Sequence, residues 1–185
     1  MKKDYISILF IVFFASNSQA QTIGVFGGFG TPDNIGDIIR NKFQHKFTAK
    51  AAVLGISGQR PFVNFTPSIQ LKGEVQLLQH FSIQKCQEIT IAPLIRIANV
   101  FNTQQFPIHF SIGDGISGLI GAEPNLEKRK SKPKRILNYF LVDFATNIKD
   151  KEIFFRWHHR CHIFKRMAPA GTGSNFFLLG IRSSF

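Results

Sequence analysis

Acidic residues are scarce in this chain: 11 aspartates and glutamates stand against 23 lysines and arginines, a formal charge of +12. An excess of that size calls for an anionic partner or surface. Cysteine is almost missing too. Cys86 and Cys161 are the only two, so a single bridge is the most an oxidising compartment could form. They fall on segments expected to lie well apart, and their pairing stays open. Long apolar runs are absent after the first twenty residues, and nothing approaches the 18 uninterrupted apolar positions of a helical membrane span. Tyrosine and tryptophan are nearly absent as well, with two and one residues, whereas phenylalanine occurs 21 times.

The first twenty residues have the form of a secretory leader. Lys2 and Lys3 give a positive start, Ile6 to Ala15 an apolar run too short to cross a bilayer as a helix, and Ser18-Gln19-Ala20 a small-residue cleavage site. The expected organisation is therefore a signal peptide over 1–20 and one domain over 21–185. A secreted chain rarely meets nucleic acid, so no nucleic-acid partner is expected. Lipopolysaccharide, with its lipid A phosphates, is the anion an outer membrane offers. The run Lys128-Arg129-Lys130-Ser131-Lys132-Pro133-Lys134-Arg135 is read either as a contact to those phosphates or as a solvated loop.

From Thr22 onward the hydrophobic pattern has period two rather than 3.6. Eight strands are expected, at roughly 22–30, 47–56, 67–79, 88–99, 108–120, 135–147, 151–163 and 174–185. Turn residues separate them, as in Thr31-Pro32-Asp33-Asn34, Asn102-Thr103-Gln104-Gln105 and Asn147-Ile148-Lys149-Asp150. Segments of ten to twelve residues suit tilted membrane strands. The first, fifth and seventh connections are long and the sixth is short, the outer-membrane pattern of long outer loops and short inner turns. The third is short, and the second and fourth are longer than that pattern prefers. The fold expected is all-β: an eight-stranded antiparallel up-and-down transmembrane barrel in the outer membrane of a Gram-negative bacterium. Such a barrel is filled by side chains and has no pore. The last strand supports this, with Phe177, Leu179, Ile181 and the terminal Phe185 on one face, an aromatic ending of the kind barrel-assembly machinery reads.

Chemistry concentrates in Glu152-Ile153-Phe154-Phe155-Arg156-Trp157-His158-His159-Arg160-Cys161-His162. Alternation puts Glu152, Phe154, Arg156, His158, Arg160 and His162 on a lumen face. Ile153, Phe155, Trp157, His159 and Cys161 take the lipid face, which turns polar only after Trp157. His159 and Cys161 are two apart on one strand face, with Cα atoms about 6–7 Å apart. A histidine beside a thiol is the smallest general-base and nucleophile pair, and a carboxylate ordinarily orients the histidine. The same residues also suit amphipathic anchors at a membrane interface. Adjacent positions point to opposite faces, so only His159 with Cys161, or His158 with His162, could converge on a metal, too few for a site; no metal and no cofactor are expected.

The stretches GEVQLLQHF (73–81), SIGDGISGLIGAEPNLE (111–127), KRILNYFLVDF (134–144), FRWHHRCHIF (155–164) and GTGSNFFLLGIRSSF (171–185) resemble the outer-membrane lipid A deacylase, or acyloxyacyl-hydrolase-like, barrels. That resemblance implies an eight-stranded barrel with a His-x-Ser pair near the top of strand seven. The serine attacks an acyl ester of lipid A, and an acidic residue orients the histidine. Carried over, His159 matches the base and Cys161 the serine. This chain departs in having Cys161 at the nucleophile, His162 where the family often places an oxyanion-stabilising asparagine, and no Asp or Glu between Phe164 and Gly173. Asp143 is taken as the orienting acid, with Asp114 as the other candidate. Two functions remain in view: a carboxylic ester hydrolase acting on lipid A, and a non-catalytic outer-membrane wall of the same descent that binds lipopolysaccharide. A basic periplasmic β-protein is a third, separable by membrane fractionation.

Overall fold

The computed structural model describes residues 21–31, 50–122, 124–127, 134–161 and 173–185. The expected leader, most of the basic run, His162 and the stretch 162–172 lie outside the described residues. Eight strands form one closed barrel in chain order. They are β1 (Thr22–Thr31), β2 (Ala51–Thr66), β3 (Ile69–Ser82), β4 (Cys86–Ile97), β5 (Ile108–Gly121), β6 (Ile136–Ile148), β7 (Lys151–Cys161) and β8 (Gly173–Ser184). Every neighbouring pair is antiparallel, and β1 closes on β8 from Thr22↔Ser184 to Thr31↔Asn175. The expected fold is the observed one. The closing seam is tight: a Cβ on Gly28 would lie 2.0 Å from the Phe177 carbonyl oxygen, so only glycine lets the two backbones meet there.

Most strands fall where the alternation puts them, and β2 is the exception. It was expected to end at residue 56. Instead it runs on to Thr66, with register shifts against β3 after Pro61 and after Asn64. A proline cannot donate to the ladder, and a bulge is where a strand accommodates one. The β2–β3 connection thereby shrinks to a tight turn at residues 67–68. Strand ends joined by the longest connections (31 to 51, 121 to 136, 161 to 173) gather at one end of the barrel, here the loop end. The other end carries residues 21 and 185, the turns at 67–68 and 149–150, and the longer connection 98–107.

The two faces of the wall are chemically inverted relative to a soluble protein. Outward positions are large and apolar, and they are exposed: Leu54 60 %, Ile116 58 % and Leu179 64 %, with Ile23, Val25, Ile56, Ile91 and Ile95 alike. Inward positions carry fully buried arginines and carboxylates. Arg156 lies between Glu74, at 2.7 and 3.0 Å, and Asp143, at 2.6 and 2.8 Å. Arg182 links Asp143, at 2.9 Å, to Glu152, which also pairs with Arg96. Towards the loop end, Glu88 takes His80 at 2.7 Å, His158 at 3.1 Å and Ser117 at 2.5 Å. Arg160 joins Ser117, at 2.7 Å, to Glu127. Glu127 belongs to a short 3-10 helix, Asn125–Glu127, whose Leu126 and Glu127 are buried. Tyr139, Phe154, Phe176, Leu141 and Leu178 fill the space between these charges. Burying a charge is tolerable only when it is paired and hydrogen-bonded, and the lattice meets that condition at nearly every inward charge. Among the described residues no helix is long and apolar enough to cross a membrane; that says nothing of strands.

Candidate functional site

β7 presents the two faces that its alternation requires. Phe154, Arg156, His158 and Arg160 are buried, while Phe155 is exposed and Trp157, His159 and Cys161 are partly exposed. His159 and Cys161 therefore share the outer wall, at the loop end of the strand. Both cysteines are free thiols. Cys86 is buried at the start of β4, opposite Gly121, whereas Cys161 stands on the outer wall opposite Asn138 and Gly173.

The cross-strand register assembles what surrounds them. His159 pairs with Asn175 on β8 and with Phe140 on β6. His159 Nδ1 lies 2.7 Å from Asn175 Oδ1, and Trp157 Nε1 donates to that same oxygen at 2.8 Å. Because an indole N–H can only donate, the atom it meets is the amide oxygen, and His159 must then present Nδ1–H to it. The amide thus fixes the tautomer that leaves Nε2 as the basic nitrogen. The Trp157 ring packs against His159 at 5.4 Å between centroids and edge-on to Phe140 at 5.7 Å, which restricts how far the imidazole can turn. On the other side, Asn138 Nδ2 donates to Asp114 Oδ1 at 2.6 Å and lies 3.9 Å from Cys161 Sγ.

Asp143 is not where the expectation needed it. Its carboxylate is fully buried inside the barrel, held by Arg156 and Arg182, and its partner on β7 is Arg156 rather than His159. Alternation decides this: Asp143 has the inward parity of Tyr139 and Leu141, so it cannot reach a histidine on the outer face. Asp114 does share the outer wall, but it pairs with Phe140, which pairs with His159. Two strand spacings separate Asp114 from the histidine, about 10 Å. Its carboxylate meets the Asn138 amide beside Cys161 instead. The residue that sequence reasoning missed is Asn175. Its parity, shared with Phe177 and Leu179, was legible, but nothing within β8 said that it stands opposite His159.

The result is a cluster of polar groups on a mainly apolar wall: Asp114, Asn138, His159, Cys161 and Asn175, contributed by four consecutive strands. Polar side chains on a lipid-exposed face are costly and rarely accumulate without a function. Chemically the cluster offers a thiol, an imidazole with its tautomer fixed and an amide N–H beside the sulfur. Among the described residues no group of three or more His, Cys, Asp or Glu side chains is placed to hold a metal.

No protein-family model and no curated protein matches the sequence. In structure the chain is similar to the outer-membrane enzyme PagL, seen in a crystal structure, with a TM-score of 0.60 over 88 % of this chain and 98 % of that one. The two are 7 % identical, so the likeness is one of fold: both are barrels of the same up-and-down plan.

Proposed function

We propose that this protein is an outer-membrane barrel that hydrolyses an acyl ester of lipid A, with Cys161 as nucleophile, His159 as general base and Asn175 as the group that orients the base. The observation that carries the reading is the 2.7 Å contact between His159 Nδ1 and Asn175 Oδ1 on the outer wall, two residues from a free thiol. Thiol enzymes on unrelated folds use a Cys-His-Asn set in place of Ser-His-Asp. An amide therefore suits this nucleophile where a serine would call for a carboxylate. The apolar outer wall and the polar, ion-paired interior support a membrane location, and the expected leader, assembly machinery and lipopolysaccharide partner belong to the same reading.

In the reaction, His159 Nε2 takes the Cys161 proton as sulfur attacks the ester carbonyl. The tetrahedral oxyanion forms beside the Asn138 amide, a donor of the kind that stabilises such charge. Collapse breaks the acyl C–O bond, the sugar alkoxide takes the proton from His159, and a thioester stays on Cys161. Water, deprotonated by His159, then hydrolyses the thioester, releasing the fatty acid and restoring the thiol. Incubation of the purified barrel with lipid A is expected to release fatty acid and, when quenched early, to leave the protein heavier by one acyl group. Alkylation of Cys161 is expected to stop both.

A non-catalytic wall that binds lipopolysaccharide is the second reading, and one observation favours it: Asp143 is committed to two arginines and cannot serve the site. No fatty-acid release from the folded, unalkylated barrel would decide for it, whereas release that persists unchanged after alkylation would remove Cys161 from the reaction.

A further inference from the structure

The end of the barrel opposite the His159 cluster holds a polar cavity of about 330 Å³. Its inner wall carries Lys72, Arg96 and Arg182, and Lys149 and Lys151 stand at its rim. Only Glu152 and Asp150 answer them there. Glu152 is already shared by Arg96 and Arg182, and Asp150 sits at the rim, 4.0 Å from Lys151. Five cations therefore face two carboxylates, and neither carboxylate lies within ion-pair distance of Lys72.

Lys72 is the residue this leaves over. It is 9 % exposed, on the inward face of β3, and no carboxylate among the described residues forms an ion pair with it. Arg182 is 2 % exposed, and its Nη2 has no hydrogen-bond partner among the described residues, although Nε and Nη1 are both taken. Elsewhere in the interior each buried arginine is matched: Arg156 by Glu74 and Asp143, Arg160 by Glu127 and Glu88. A buried ammonium without a counterion is strongly disfavoured. Among the described residues the surplus gathers where the lattice opens on this cavity.

We infer that this cavity is a binding site for a phosphate-class oxyanion, held chiefly by Lys72 with Arg182 and Arg96 behind it. An ammonium and two guanidiniums supply the point charge and planar donors that phosphate oxygens accept. The volume takes a phosphate group and part of what it is attached to. The site is independent of lipid hydrolysis, since it lies at the other end of the barrel and shares no residue with the His159 cluster.

The test is binding by the full-length barrel in a nonionic, phosphate-free detergent, titrated calorimetrically with inorganic phosphate and, separately, with phosphatidic acid in mixed micelles. Saturable binding of either probe is expected. Phosphate binding identifies a free anion as sufficient, and phosphatidic acid binding alone identifies a lipid headgroup as the source. K72Q is expected to weaken binding at least tenfold, K72R to keep it within about threefold, and the rim variant K149Q/K151Q to weaken it less than K72Q does. Heat-modifiable gel migration checks that each variant is closed, and if K72Q does not close, the comparison of K72R with the rim variant carries the result. No binding of either probe by the wild type would overturn the assignment. So would a K72Q barrel that binds as well as wild type, or a rim variant that loses more than the inner one.

Discussion

β7 carries two histidines side by side, and their surroundings are opposite in every respect. His158 points inward, fully buried, against Glu88 and the Tyr139 ring. His159 points outward, partly exposed, against Asn175 and the Trp157 ring. The same division runs along the strand, with Arg156 and Arg160 inside a closed lattice and Trp157 and Cys161 outside on an apolar wall. One residue of register separates a structural role from a chemical one. Apart from Lys72, inward charges are matched because the enclosed interior gives them nothing else to meet; the outward polar groups of β7 stand where neighbouring strands supply partners.

If that division is right, an inward change costs stability and an outward change costs chemistry. The largest stability effect is expected from Arg156→Ala. It would leave Glu74 and Asp143 facing one another inside the barrel, and breaking a buried pair by removing one partner costs about 3–5 kcal/mol. Denaturant melts of the folded barrel, followed by gel mobility, would show it. Replacing Arg156, Glu74 and Asp143 together with neutral residues of similar size is expected to recover much of the loss.

On the outer face, Asn175→Ala is expected to lower lipid A hydrolysis about 10²-fold, the lower end of what a positioned base contributes. Its melt should stay much nearer wild type than that of Arg156→Ala. A kcat that falls with KM unchanged is the signature of lost orientation, and Asn175→Asp is expected to restore part of it. Equal losses of stability from Asn175→Ala and Arg156→Ala would erase the distinction between the faces.

The smallest effect concerns Glu127, where the plugging 3-10 helix meets Arg160. Burial pushes its carboxyl up from 4.5 to about 7, with Arg160 opposing and Glu88 adding to the rise. The folded state then holds a proton that the unfolded chain releases near pH 4.5. This contribution to stability is therefore full below about 4.5 and is lost as pH rises towards 7 and beyond. Glu127→Gln is expected to flatten that decline, read from melting midpoints between pH 4.5 and 8.

Much of this was legible in the sequence, and the gaps have separate physical causes. Period-two alternation gives the parity of each strand, so the inward set of Arg156, His158 and Arg160 and the outward pair of His159 and Cys161 follow from β7 alone. Alternation does not give cross-strand register, and Asn175 was overlooked because only the β7–β8 pairing puts it opposite His159. Asp143 is an error of parity instead, since it lies on the inward face of β6 with Tyr139 and Leu141. In β2 the strand outruns its expected end at residue 56, and register shifts carry it past Pro61 to Thr66. The surplus cation at Lys72 was invisible for a third reason. Net charge counts lysines, whereas only the closed barrel shows which of them has no carboxylate to face.

The most direct test is the mass spectrum of lipid A from Gram-negative cells producing either the wild-type barrel or Cys161→Ala, with folding of both checked by heat-modifiable migration. The account predicts a lipid A lighter by one acyl chain in the first and the unmodified lipid in the second. Identical spectra from two folded barrels, whether both shortened or both intact, would contradict it.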